Sequence, residues 1–214
     1  MSGLIHPTAF VSPNASLGNN VSVGQCAIIE DDVVIGDNCQ IHPFASIKQY
    51  TRMGKGNVIH SYAMIGGIPQ DLKFAGEISH LEIGDDNSIR EFSTLHRGTA
   101  GGGGITRVGS NNLIMAYAHV AHDCVVGNHV VMSNNATLAG HVEVSDYAII
   151  GVLSAVHHFI LLCSMVFLCG LIVHPPDFPP PLFAAPATGV LPRLNLNALR
   201  CHGPPPVHTP PTPH

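Results

Sequence analysis

An aliphatic residue recurs every six positions along most of this chain. Counted from Ile5 it returns at Val11, Leu17, Val23, Ile29, Ile35, Ile41, Ile47, Met53, Ile59 and Ile65 without a break in phase. After an interruption the series resumes at Ile83, Ile89 and Leu95. A second break is followed by Val108, Ile114, Val120, Val126, Met132, Leu138, Val144, Ile150, Val156, Leu162 and Leu168. A six-residue period fits neither a helix nor a simple alternating strand; it is the pattern of a hexapeptide solenoid, in which three hexads make one triangular coil. The guide aliphatic points into the prism, and a small residue four places later, such as Ala27, Cys39, Ala45, Cys124 or Ala136, fills the space beside it. Gly, Asp or Asn next to the guide shape the corners, as in Ile35-Gly36-Asp37-Asn38 and Val126-Gly127-Asn128. The 25 guide positions predict a little over eight coils stacked as parallel strands, an all-β prism roughly 40 Å long at about 4.8 Å per coil.

The two interruptions are insertions. Ile65 to Ile83 is 18 residues instead of six, and Leu95 to Val108 is 13. Loops near residues 67–82 and 98–107 therefore leave the prism, and solenoid insertions concentrate on the working face. Ile65, Leu95, Val120, Leu138 and Val156 lie three hexads apart and stack on one side. Counting from these guides puts His96 and His157 one place on, His122, Gly140 and His158 two places on, and Asp123 and His141 three places on. Gly140 is then one coil from His122, and five histidines form one ridge. The first insertion, with Gln70, Asp71 and Lys73, leaves from the neighbouring coil.

Composition narrows the choices. Charged residues are only 11% of 214, Gly numbers 22, and the formal charge of −5 with nine Lys and Arg argues against a nucleic-acid surface. Cys39 and Cys124 read as core fillers rather than disulfide partners. No amino-terminal signal precedes the first hexad, so a cytoplasmic location is expected. The apolar run Phe159 to Val173 is too short to span a membrane and keeps the six-residue phase, so no stable membrane insertion is expected. Thirteen of the 17 prolines fall after His174. The expected organisation is a β-helix over 1–173 and a Pro-rich irregular tail over 174–214.

The ridge suggests general-base chemistry near neutral pH. His122 is the leading base, with Asp123 beside it and Gly140, whose N–H can approach a developing oxyanion, one coil away. Any one of these histidines alone would read as a corner residue bonded to backbone; five beside both insertions point to function. His119-x-x-His122 has the look of metal spacing, but the two residues fall on either side of a corner and a set of three or four ligands is not evident, so no metal is expected. Gly101 to Gly104 lacks the following Lys-Ser/Thr of a phosphate loop and reads as the flexible tip of the second insertion. Lys73 and Arg97 are the expected anion contacts.

Several segments carry a family resemblance: Ile68-Pro-Gln-Asp-Leu-Lys-Phe-Ala-Gly-Glu77, His96-Arg-Gly-Thr99, His119-Val-Ala-His-Asp-Cys124, Ala136-Thr-Leu-Ala-Gly-His141 and Ala155-Val-His157. Together, from about Ile5 to Phe159, they resemble the acyl-carrier-protein:UDP-N-acetylglucosamine O-acyltransferases of lipid A synthesis. The resemblance implies a left-handed helix, whereas the general rule for parallel crossovers would give the other hand. It also implies a homotrimer with active sites between neighbouring prisms, and a Gram-negative type of cell. By motif, His122 would deprotonate the sugar 3-hydroxyl for attack on an (R)-3-hydroxyacyl thioester, Asp123 would orient it and the Gly140 N–H would hold the oxyanion. Gln70, Asp71 and Lys73 would contact the sugar nucleotide, and His96, His119, His141, His157 and His158 would line the cleft. Gly170 would set acyl-chain length, and Asn195 and Arg200 would belong to the substrate-binding segment before the family's helical end. No metal or diffusible cofactor is implied, because the acyl donor arrives on the phosphopantetheine of acyl carrier protein.

The chain also departs from that pattern. His158 stands where the family has Gln, Cys163 and Cys169 replace glycines, Cys201 and His202 replace a basic pair, and the carboxy-terminal helical domain is expected to be missing. Two alternatives follow: a catalytically impaired or inert trimeric copy, and the related UDP-3-O-acyl-glucosamine N-acyltransferase, which would carry an amino-terminal uridine-binding domain.

Overall fold

The computed structural model describes residues 5–171 together with two short strands at 182–184 and 193–194. Strands of two to four residues wind into three parallel sheets, one per side of a triangular prism. The chain is a left-handed parallel β-helix. The first sheet carries the guides Val11, Ile29, Ile47, Ile65, Leu95, Val120, Leu138 and Val156 in register, as the hexad count predicts. The second runs from Leu17 to Leu162 and the third from Val23 to Leu168. Leu182–Ala184 extends the third sheet in parallel on Phe167 and Leu168, and Arg193–Leu194 adds to it antiparallel. The rest of the expected 174–214 tail, including Asn195, Arg200, Cys201 and His202, lies outside the described residues.

Guides from Val23 to Leu168 are buried and form one continuous core. Ile5, by contrast, is 47% exposed, and Val11 and Leu17 are only part-buried, because among the described residues no coil stacks beneath the first. In one column the small filler is replaced: Asn57, Asn87 and Asn112 are fully buried. Asn57 Oδ1 accepts from both the backbone N–H and the side-chain amide of Asn87, and Asn87 Oδ1 accepts from the Asn112 N–H. This internal ladder satisfies polar groups that would otherwise be costly inside the prism.

The corners are made differently from the expectation. The left-handed backbone conformation falls three places after the guide, and twenty non-glycine residues adopt it, among them Asn38, Phe44, Tyr62, Asp123 and His141. The glycine one place after the guide serves another purpose. At Gly36 a Cβ would sit 2.6 Å from the Gly54 carbonyl carbon and 2.8 Å from the Lys55 nitrogen, so glycine there lets successive coils pack at strand spacing. Gly36→Ala is expected to cost about 2 kcal/mol through overpacking against backbone, read as a lowered thermal midpoint by circular dichroism.

Candidate functional site

Both insertions leave the first sheet and re-enter the second, after Met64–Gly67 and Thr94–His96 and before His80–Ile83 and Ile105–Val108. They overhang one corner of the prism, where the ridge lies. That corner turns at Asp123 and His141, whose φ angles are 60° and 62°.

Asp123 is the anchor. Its side chain is 1% exposed, and the root of the second insertion grips it: the Thr99 N–H donates to Oδ1 at 2.8 Å and the Thr99 hydroxyl to Oδ2 at 2.7 Å. Its own N–H donates to Thr106 Oγ1 at 2.8 Å. His122 Nδ1 lies 2.8 Å from Oδ2. An ionised carboxylate only accepts, so Nδ1 is the protonated nitrogen and Nε2 is left with its lone pair. The imidazole lies against Gly140, where a Cβ would come within 2.5 Å of Cε1 and 2.8 Å of Nε2. Only glycine fits beneath that ring, and among the described residues the Gly140 N–H donates to no acceptor.

The other histidines extend the ridge on both sides. His119 Nδ1 meets Thr94 Oγ1 at 2.7 Å, and its ring abuts that of His96 edge-on at 4.8 Å. His141 meets His122 edge-on at 5.3 Å and stacks on Phe159 at 4.5 Å. The exposed pair His157 and His158 lies beyond, with ring centroids 5.2 Å apart. Burial, reinforced by His119 and His122, pushes the His96 imidazole down to about 4. Burial also lowers His119, with His122 adding to the shift against a hydrogen bond at Thr94. His158 is lowered by burial and then by His157, His122 and His141, while Asp71 acts the other way. The ridge is thus held as neutral imidazoles at its inner end.

Gln70 and Lys73 are exposed and Asp71 is part-buried on the first insertion. There the Lys73 N–H donates to Asp71 Oδ1 at 3.0 Å and the Phe74 N–H to the Asp71 carbonyl at 3.0 Å. Arg97, expected as an anion contact, is 9% exposed and lines a cleft with Lys48, Gln49 and Ile68, with its guanidinium over the Tyr50 and Phe74 rings. Gly101 to Gly104 is no loose tip, because Ala100–Gly102 forms a 3-10 turn capped by Thr99, and Gly102 packs on the Asp123 carboxylate, where a Cβ would lie 2.0 Å from Cγ. Gly170, expected to set acyl-chain length, lies two places after the third-sheet guide Leu168, on a different corner from the ridge, and packs on Val152.

His122, Asp123 and His141 hold donor atoms within 4.8 Å of one another. The set does not suit a metal ion, because the Asp123 carboxylate already accepts three hydrogen bonds and has Gly102 against it. Thr99, Thr106 and Gly102 were not singled out as site residues by sequence reasoning. The signal that could have found them was a run of glycines on an insertion whose root lies one coil from Asp123.

The family described as bacterial transferase hexapeptide (six repeats) matches residues 32–67 and 105–140. The acyl-[acyl-carrier-protein]–UDP-N-acetylglucosamine O-acyltransferase of Aliarcobacter butzleri is 46% identical over 196 residues, covering 92% of this chain and 75% of that protein. The chain belongs to this O-acyltransferase family. Among solved structures, the UDP-N-acetylglucosamine acyltransferase LpxA of Bacteroides fragilis is 41% identical with a TM-score of 0.90, over 94% of this chain and 78% of that one. The Arabidopsis UDP-N-acetylglucosamine acyltransferase is 35% identical with a TM-score of 0.78, over 94% and 77%. A plant relative means that family membership alone does not imply a Gram-negative cell. Among the described residues no helix is long and apolar enough to cross a membrane.

The buried His96 yields a pH prediction. Its folded value, about 4, lies below that of an unfolded histidine, so its protonation favours the unfolded chain. Stability is fully present above about pH 6.5 and is lost as pH falls toward 4, by on the order of 3 kcal/mol. Denaturant titrations across that window should show the loss, and His96→Gln should flatten the slope.

Proposed function

We propose that this chain transfers an (R)-3-hydroxyacyl group from acyl carrier protein to the 3-hydroxyl of UDP-N-acetylglucosamine, the first step of lipid A biosynthesis. The observation that carries this reading is the His122 ring, held at Nδ1 by Asp123 and laid with Nε2 against Gly140. In the proposed reaction Nε2 takes the proton of the sugar hydroxyl as its oxygen attacks the thioester carbonyl. The Gly140 N–H stabilises the oxyanion of the tetrahedral adduct, and Asp123 stabilises the imidazolium. Collapse of the adduct breaks the C–S bond, and His122 returns its proton to the departing phosphopantetheine thiolate. Base and acid are the same imidazole, so no metal or diffusible cofactor enters.

Gln70, Asp71 and Lys73 are assigned to the sugar nucleotide, and His96, His119, His141, His157 and His158 to the walls of the cleft. By resemblance, Asn195 and Arg200 are assigned to substrate binding. Gly170 lies on another corner, so an acyl groove from His122 to Gly170 would run between prisms. A homotrimer accommodates that arrangement. It is supported by an exposed stack of Phe44, Tyr62, Phe92 and Tyr117, with centroids 4.9 to 5.1 Å apart along one edge, which a neighbouring prism would cover.

The test is acyl transfer to UDP-N-acetylglucosamine from (R)-3-hydroxyacyl carrier protein. His122→Ala is expected to lower turnover about a thousand-fold while leaving the fold intact. Near-full activity in that variant, or no turnover from the folded parent chain, would contradict the reading. Lys73→Ala is expected to raise the KM for the sugar nucleotide about ten-fold with little change in kcat. The reverse pattern would place Lys73 on the transition state.

A further inference from the structure

Arg97 is a buried cation whose bonding is incomplete. Its Nη1 donates to the Gln49 carbonyl at a long 3.4 Å, and its buried Nε has no acceptor among the described residues. Two aromatic rings flank the charge instead: Cζ lies 5.2 Å from the Tyr50 centroid and 5.8 Å from the Phe74 centroid. Tyr50 belongs to the prism, at one of its left-handed corners. Phe74 belongs to the first insertion.

That insertion has few other holds on the body. Of its apolar side chains Ile68, Leu72 and Ile78 are exposed, and Pro69 is buried at its root. Glu77 ties it to the second insertion, accepting from the Ala100 N–H at 3.1 Å, and closes a local turn through the Ala75 N–H at 2.8 Å. Phe74, meanwhile, shares one hydrogen-bonded turn with Asp71 and Lys73. Whatever fixes Phe74 therefore bears on the backbone turn from which Asp71 and Lys73 project.

We infer that Arg97 is a positioning residue: its guanidinium, held between Tyr50 and Phe74, sets the turn that presents Asp71 and Lys73 to the sugar nucleotide. The inference rests on the proposed acyl transfer for its kinetic readout, but the placement of the loop can be read without it. A planar guanidinium is suited to this role because it offers two π-faces, one to each ring, at little cost in hydration. An ammonium on the same stem would present neither face.

The experiment is a double-mutant cycle on the full chain with Arg97→Gln, Phe74→Ala and the pair, read in two ways. Kinetically, each single variant should raise the KM for UDP-N-acetylglucosamine about ten-fold and change kcat by less than about three-fold. The double variant should be no worse than either, and Arg97→Lys should not rescue. Structurally, limited trypsin digestion should cut after Lys73 sooner in all three variants, at an unchanged thermal midpoint for Phe74→Ala. Additive KM effects would overturn the inference and make Arg97 a direct substrate contact. Unchanged cleavage at Lys73 in Phe74→Ala would also overturn it. Should the parent chain show no turnover, the acyl-transfer reading fails while the cleavage rates at Lys73 still decide the clamp.

Discussion

The fold depends on one backbone constraint, the left-handed conformation that recurs three places after each guide aliphatic. For a non-glycine residue that conformation costs on the order of 1 kcal/mol or more. The stack repays it by aligning like with like at several corners. Asn20 bonds Asn38, Phe44 stacks on Tyr62, and His129 stacks on Tyr147. A single hexad could not hold such a corner. The constraint is satisfied only collectively, which is why the period runs so far without slipping.

The site is built from the same corner, altered. At Asp123 the left-handed residue is a carboxylate, and instead of stacking on a like neighbour it is enclosed by Thr99, Gly102 and His122. An insertion that breaks the period thus orders the residue that holds the His122 ring. The first insertion is tied in turn to the second through Glu77 and to the prism through Arg97. The consequence is a ridge whose chemistry depends on non-repeating segments while its spacing depends on the repeat.

This division explains what could be read without coordinates. The hexad count placed His122 over Gly140 and Asp123 one coil from His141, because a strict period converts sequence distance into position. It also held the means to place Gly170 on another corner, through its guide Leu168. What lay beyond reach were the contacts of the insertions. The packing of Arg97 was hidden because nothing periodic brings Phe74 back over it, and the glycine run looked loose because the carboxylate beneath Gly102 belongs to a residue one coil on. The register of the asparagines was visible at Asn57, Asn87 and Asn112, yet a rule of small fillers passed over it.

The central claim is that Asp123 fixes the tautomer of His122 and leaves Nε2 as the basic nitrogen beside Gly140. The direct measurement is the protonation state of the His122 ring by nitrogen-proton correlation NMR on histidine-labelled protein at neutral pH, assigned against a His122→Gln variant. The account predicts a neutral ring carrying its proton on Nδ1, shifting to the other tautomer in Asp123→Ala. A proton found on Nε2 in the unaltered chain would contradict it.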